Sequence, residues 1–356
     1  MNKKHFNTAC VNGRIAKDDL YAYRLPMYFS NTYKGSLDDC YARYQNPNRN
    51  LLEDTFSKIY ATDKVKYPVC RAVSSGLGAF SSVLSTLSYE SDRRTILVDY
   101  NLYIEVRDLL EYFTKEFKVS YVHINDLDEL KDNLSEDVAM VFVDSCPYPT
   151  FPEEDIKGIA DTIHQYDPSI LLTIDNSNLS CYYYNPFDDD ADIVIESLGK
   201  YCCGHGDTMG GVILNYDTNN SIACFGNGIG SMSAWMISRS MSTMALRLEK
   251  ANENADLVYI FLKHDTRVKD IHRCVAAITF RLPDDFSRGK TFEQIHSEFE
   301  CFKHIKIEYS FGQDNTVMMI SDFGKKYIRI AVGLEDVEDI VQDLRDVFAR
   351  KGLLKA

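Results

Sequence analysis

Two short apolar runs, LLTI at 171–174 and IVI at 193–195, stop abruptly on polar residues. The first ends at Asp175-Asn176 and the second at Glu196-Ser197-Leu198-Gly199-Lys200. Each has the length and β-branched content of a strand buried on both faces. In open α/β sheets, ligands sit at the carboxyl ends of strands. Asp175 and Lys200 are therefore expected to face one pocket.

An acid and a lysine so placed suit pyridoxal 5′-phosphate (PLP). The lysine amine can form a Schiff base with the cofactor aldehyde. The acid keeps a proton on the pyridine nitrogen, which makes the ring an electron sink. A lysine in that role needs a lowered pKa, and a cationic, desolvated site supplies it. Taken by itself, the pair also fits an ordinary strand-end lysine and a turn aspartate.

The alternation extends along the chain. RTILVD (94–99), VSYVHI (119–124) and AMVFVDS (139–145) read as strands, and DLDELKDNL (126–134) reads as a helix. This βα order argues for a mostly parallel sheet. Residues 1–50 carry few helical signals and read as an extended arm, and 51–62 has helical spacing. The 226–262 stretch reads as one long helix linking two domains. Strand-like VAAITFRL (275–282) and IKIEYSF (305–311) follow, and 335–348 closes the chain as an amphipathic helix.

At 356 residues, one large α/β domain plus a smaller one is expected. A formal charge of −14 argues against nucleic acid as a partner. No run approaches membrane length, and the N-terminus lacks a secretory apolar core. Ten cysteines occur without C-x-x-C spacing, so no metal site is expected and a cytoplasmic protein with reduced thiols is. The acidic run at 187–192 lacks the spaced pattern of a calcium loop and reads as a solvated turn. The glycines at 226, 228 and 230 have the wrong spacing for a dinucleotide fingerprint. Ser74-Ser75-Gly76-Leu77 opens a helix with small residues, which suits an anion because free amide groups and the helix dipole point at it.

DNS…ADIVIESLGKYCCGHGDTMGG at 175–211 resembles the DNT…ADIVxHSxTKYxxGHxDxxGG segment of the Cys/Met-metabolism PLP enzymes. That family includes cystathionine γ-synthase, cystathionine lyases, methionine γ-lyase and O-acylhomoserine sulfhydrylases. Further matches run in order from 26 to 335. PMY (26–28), YARYQNPNR (41–49), SSGLGA (74–79), Tyr103, DSCPYPT (144–150), the 226–262 stretch, SFG (310–312) and YIRIAVGLE (327–335) resemble PIY, YxRxxNPT, SSGMAAI, the Tyr of DxxYGGT, ESPxNPT, GxxxSPxDAWLxLRG, SLGG and LVRLSVGLE.

The resemblance implies a fold of the aspartate-aminotransferase type (PLP-dependent transferase fold type I). It has a mostly parallel central sheet and a smaller α+β C-terminal domain. The expected organisation is an arm at 1–55, a PLP-binding domain at 56–240 and a small domain at 241–356. The implied catalytic residues are Lys200, Tyr103 and Asp175. Gly76 and Leu77 would hold the cofactor phosphate through backbone amides, with Ser197 adding a hydroxyl. Ser177, Tyr148 and Tyr103 would line the ring. Tyr41 and Arg43 would reach into a partner subunit's site, which implies a homodimer or homotetramer. Arg329 would clamp the α-carboxylate of an amino-acid substrate, with Ser310 and Tyr41 beside it.

Four departures stand out. Asn48 replaces a Thr, Ile104-Glu105-Val106 replace small residues after Tyr103, Tyr148 replaces an Asn, and Gly199 replaces a phosphate-binding Thr. The segment from 274 to 310 is shorter than the family pattern. The resemblance implies elimination or replacement at the β- or γ-carbon of an amino acid, foremost as a carbon–sulfur lyase. A γ-replacement enzyme, a γ-lyase with a halide-like leaving group, an aminotransferase and a non-catalytic PLP-fold protein are the alternatives.

Overall fold

The computed structural model describes residues 5–13, 22–34, 41–152, 154–281, 284–322 and 326–350. The chain divides into two compact units. One comprises Met1–Tyr148, Glu153–Cys203 and Asp207–Thr243; the other comprises Pro149–Pro152, Gly204–Gly206 and Met244–Ala356.

The first unit is built on a seven-stranded sheet of β1 (Cys70–Val73), β2 (Thr95–Asp99), β3 (Lys118–Val122), β4 (Val138–Asp144), β5 (Leu171–Asp175), β6 (Ile193–Ser197) and β7 (Gly211–Leu214). Their order is β1-β7-β6-β5-β4-β2-β3. Only the pairings of β7, with β1 and with β6, are antiparallel. The central strands are buried along their length, as continuous apolar runs require. The Gly76–Glu90 helix buries Ala79, Phe80, Val83, Leu84 and Leu87 in a core shared with Ile96, Val98 and Phe142. The rings of Phe80 and Phe142 lie 4.2 Å apart.

The second unit carries β8 (Lys269–Cys274), β9 (Ala277–Arg281), β10 (Lys306–Ile307), β11 (Val317–Asp322) and β12 (Lys326–Ala331) in the order β10-β11-β12-β9-β8. The Val337–Arg350 helix packs Ile340, Leu344, Val347 and Phe348 into a core with Ile278, Phe280, Ile328 and Ile330. No helix among the described residues is long and apolar enough to cross a membrane.

Four local expectations are corrected. The arm is partly helical, at Phe6–Asn12 and again from Pro47 to Ile59. Phe6 and Cys10 are buried, with Phe6 packed edge-on against Tyr182. The second helix starts four residues earlier than its apolar spacing suggested. Asn46 accepts from the amides of Asn48 and Arg49, and Pro47 occupies the first turn. The 226–262 stretch holds two helices, Ser231–Met241 and Met244–Lys263. The ladder breaks where Ser242 and Thr243 tighten to i−3 bonds and the Ser242 hydroxyl takes the Arg239 carbonyl. Finally, 305–311 is a strand only at Lys306–Ile307. The Arg329 guanidinium takes the carbonyls of Tyr309 and Ser310 that a longer ladder would use.

Candidate active site at the carboxyl ends of the central strands

Strands β4, β5 and β6 end side by side on Asp144, Asp175 and Ser197. Asp144 stands opposite Asp175, and Asp175 opposite Ile195. The loop after β5 then folds back on the strand ends. Asp175 accepts from the Ser177 amide at 2.9 Å, and the Ser177 hydroxyl accepts from the Ser197 amide at 2.7 Å. Asn178 Nδ2 reaches both Asp144 oxygens, at 3.3 and 3.2 Å, and the Cys146 carbonyl at 3.0 Å.

Lys200 sits in the turn that follows β6. The Leu198 amide donates to the Gly210 carbonyl and the Cys203 amide to the Leu198 carbonyl, which closes that turn. Glu196 pins it from beneath: Cys202 Sγ donates to one carboxylate oxygen at 3.2 Å, and Tyr60 Oη to the other at 2.5 Å. The Cys181 amide adds a third donor at 3.1 Å.

Electrostatics separates the two aspartates. Burial pushes the Asp144 carboxyl up to about 8, and the neighbouring Asp175 charge adds to the push. Burial also raises Asp175, but the Ser177 hydrogen bonds and the Lys200 ammonium pull it down. Both carboxyls are thus raised, and the Lys200 ammonium opposes the rise at Asp175.

An anion cradle adjoins the pair. Ser75 caps the Gly76–Glu90 helix through the Gly78 amide at 2.9 Å. The first amides of that helix have no carbonyl of their own helix to donate to. Position 76 faces Ser197: a Cβ there would lie 2.9 Å from Ser197 Cβ and 3.3 Å from its hydroxyl oxygen. Amides at a helix start, a serine hydroxyl and the space that a side chain at 76 would fill together fit a phosphate group. Gly199 faces backbone, since a Cβ there would sit 3.3 Å from the Thr208 carbonyl oxygen and 3.5 Å from Met209 Cα.

The structure places the remaining expected residues as follows. Leu77 packs in the first turn of the Gly76–Glu90 helix, against the core. Tyr103 is half exposed at the cap of the Ile104–Tyr112 helix, where its carbonyl accepts from Val106 and Arg107. Tyr148 is partly buried in the loop after β4. The Arg43 guanidinium lies 5.2 Å over the Tyr41 ring, and Tyr41 bridges to Thr32. In the second unit Arg329 is buried on β12. It donates to the Tyr309 and Ser310 carbonyls at 3.0 and 2.9 Å, with its guanidinium 5.2 Å over the Phe311 ring.

Three of the acids at 188–192 are held by protein groups: Asp189 by Tyr184, Asp190 by Lys64 and Lys157, and Asp192 by His164. Asp144, Asn178 and Glu196 were not singled out from sequence. Asp144 had a signal, because it opens the DSCPYPT motif and ends an apolar run. Cys181, Glu196 and Cys202 form a buried group whose ligand-type atoms lie within 4.8 Å of one another. No spacing rule anticipates that convergence of three segments.

The family profile described as Cys/Met metabolism PLP-dependent enzyme matches residues 7–275. A mimosinase from Mimosa pudica is 28% identical over 98% of this chain and 86% of its own length. An L-methionine gamma-lyase from Fusobacterium nucleatum subsp. polymorphum is 28% identical over 96% of this chain and 97% of its own. A cystathionine beta-lyase from Neurospora crassa is 28% identical over 94% and 80%. Among solved structures, cystathionine gamma-lyase from Lactobacillus plantarum superposes with a TM-score of 0.84 at 23% identity. It covers 97% of this chain and 98% of its own. The fold is therefore that of the PLP-dependent fold type I enzymes. With a profile match that spans most of its length, the chain belongs to the Cys/Met metabolism PLP-dependent enzyme family and is a PLP enzyme.

Proposed function

We propose that the protein is a PLP-dependent lyase that breaks a carbon–sulfur bond at the β- or γ-carbon of an amino acid. The carrying observation is that Asp175 ends β5 and Lys200 follows the neighbouring strand β6, where its ammonium opposes the upward push of burial on the Asp175 carboxyl. The relatives named cystathionine beta-lyase and L-methionine gamma-lyase support the choice of bond.

Bound PLP supplies an aldehyde for an amine and a protonated ring that accepts electrons from the bonds around Cα. Asp175, half-buried at the end of β5, would hold the proton on the ring nitrogen. Asp144 stays neutral beside it and so adds no second charge. Gly76, Leu77 and Ser197 bind the phosphate and orient the ring, with Ser177 fixing the Ser197 backbone. The Lys200 amine takes the Cα proton and returns protons at neighbouring carbons. Tyr103 and Tyr148 shape the ring faces, and Tyr103 assists the departing group. Arg329, with Ser310 and Tyr41, binds the substrate carboxylate.

The working assembly in this reading is a homodimer or a homotetramer whose sites are completed by Tyr41 and Arg43 of a neighbouring copy. The described cysteines are all free thiols, which suits a cytoplasmic protein. The test is a screen of cystathionine, methionine, cysteine, homoserine esters and γ-halo amino acids. Keto acid, ammonia and thiol are measured together. Stoichiometric release of all three from a sulfur amino acid supports the reading. Keto acid without ammonia, or thiol consumption in place of release, contradicts it.

A further inference from the structure

Gly226-Asn227-Gly228 fits no nucleotide-binding pattern, yet both side-chain polar atoms of Asn227 and its carbonyl bond to the turn that opens the Gly76–Glu90 helix, while its amide donates to the Ile222 carbonyl. Asn227 Nδ2 donates to the Gly78 carbonyl at 2.7 Å and to the Ser82 hydroxyl at 2.9 Å. Asn227 Oδ1 accepts from the Ser74 hydroxyl, and the Asn227 carbonyl accepts from the Ser74 amide at 2.9 Å. Val73 bridges to Gly228, and the Ile229 amide donates to the Ala72 carbonyl at 3.2 Å. These bonds bracket Gly76 and Leu77 on both sides without any of them using the Gly76 or Leu77 amide.

We propose that Asn227 is a positioning residue for the cofactor phosphate, clasping the 74–82 turn so that the Gly76 and Leu77 amides stay aimed beside Ser197. This rests on the assignment of the cradle to the PLP phosphate. The need for a clasp follows from Gly199. That residue offers no hydroxyl, so beside the Ser197 hydroxyl the site depends on backbone amides, whose aim is only as good as the turn that carries them. Asn227 is uncharged and acts through geometry, not through the field at the phosphate.

The test compares PLP with pyridoxal, which lacks the phosphate, by titrating full-length apoprotein. Asn227→Ala is expected to raise the PLP Kd about tenfold and Ser74→Ala about threefold. The pyridoxal Kd should move by less than about twofold in both. Unchanged PLP affinity in both variants overturns the proposal. Equal weakening of PLP and pyridoxal also overturns it, because the clasp would then support the whole pocket. If Asn227→Ala does not fold, Ser74→Ala alone decides. Wild-type protein that binds no PLP would sink the cofactor-site assignment itself. Wild-type binding with indifferent variants sinks only the clasp.

Discussion

Asp144 and Asp175 end adjacent parallel strands directly opposite one another, and the Asn178 amide bonds to both oxygens of Asp144. Two half-buried carboxyls side by side cannot both ionise cheaply. Burial raises both, Asp144 to about 8, and the Lys200 ammonium opposes the rise at Asp175.

Substitution should therefore affect the pair unequally. Asp175→Asn is expected to lower turnover by about a hundredfold or more, whereas Asp144→Asn mimics the neutral acid and should keep it within about threefold. Steady-state rates at neutral pH check this. Equal losses in the two variants would contradict the division of roles.

Glu196 makes stability depend on pH. Burial pushes its carboxyl from an ordinary 4.5 up to about 7, with Asp175 adding to the push; donors from Tyr60, Cys202 and the Cys181 amide oppose it. The folded value lies above the unfolded one. The contribution of this group is thus fully present below about 4.5 and lost as pH rises through about 7. The amount is on the order of 3 kcal/mol. Asp144 acts in the same sense, between 3.8 and about 8. Thermal midpoints of wild type should fall across this window, and Glu196→Gln should flatten the slope. An identical slope in the variant would show that another group titrates.

Much of this was legible in the sequence for a physical reason. Strands buried on both faces leave continuous apolar runs, so β4, β5 and β6 and the residues at their ends could be read directly. Helix boundaries set by caps were less visible. Asn46-Pro47 is a strong start signal, but it falls within the stretch that reads as an extended arm, because the apolar spacing begins only at Leu51. The break at Ser242 depends on a hydroxyl taking a backbone carbonyl, which apolar periodicity does not register. Glu196 and Asn227 were invisible as site residues, because their partners lie at Tyr60 and Cys202, and at Ser74, Gly78 and Ser82. Only the folded chain brings these together.

The cradle at Gly76 should be intolerant of any side chain. Gly76→Ala places a methyl 2.9 Å from Ser197 Cβ, so the helix start or Ser197 must move. The expected effect is about a tenfold or greater loss of PLP affinity, or about 1.4 kcal/mol. Retained affinity, measured by equilibrium titration, would place the phosphate elsewhere.

Shared sites can be tested by complementation. Arg43→Ala and Lys200→Ala subunits, each inactive as pure assemblies, should recover about a quarter of wild-type activity when co-expressed, because one mixed site in each hybrid is intact. Recovery no greater than the sum of the parents would assign both residues to one subunit's own site.

The central claim is that Lys200 is the covalent anchor of the cofactor. Borohydride reduction of PLP-loaded protein, followed by proteolysis and mass spectrometry, locates the linkage. The account predicts a single pyridoxyl adduct, on the peptide that contains Lys200, absent from Lys200→Ala. An adduct on another lysine, or none on the wild-type protein, would contradict it.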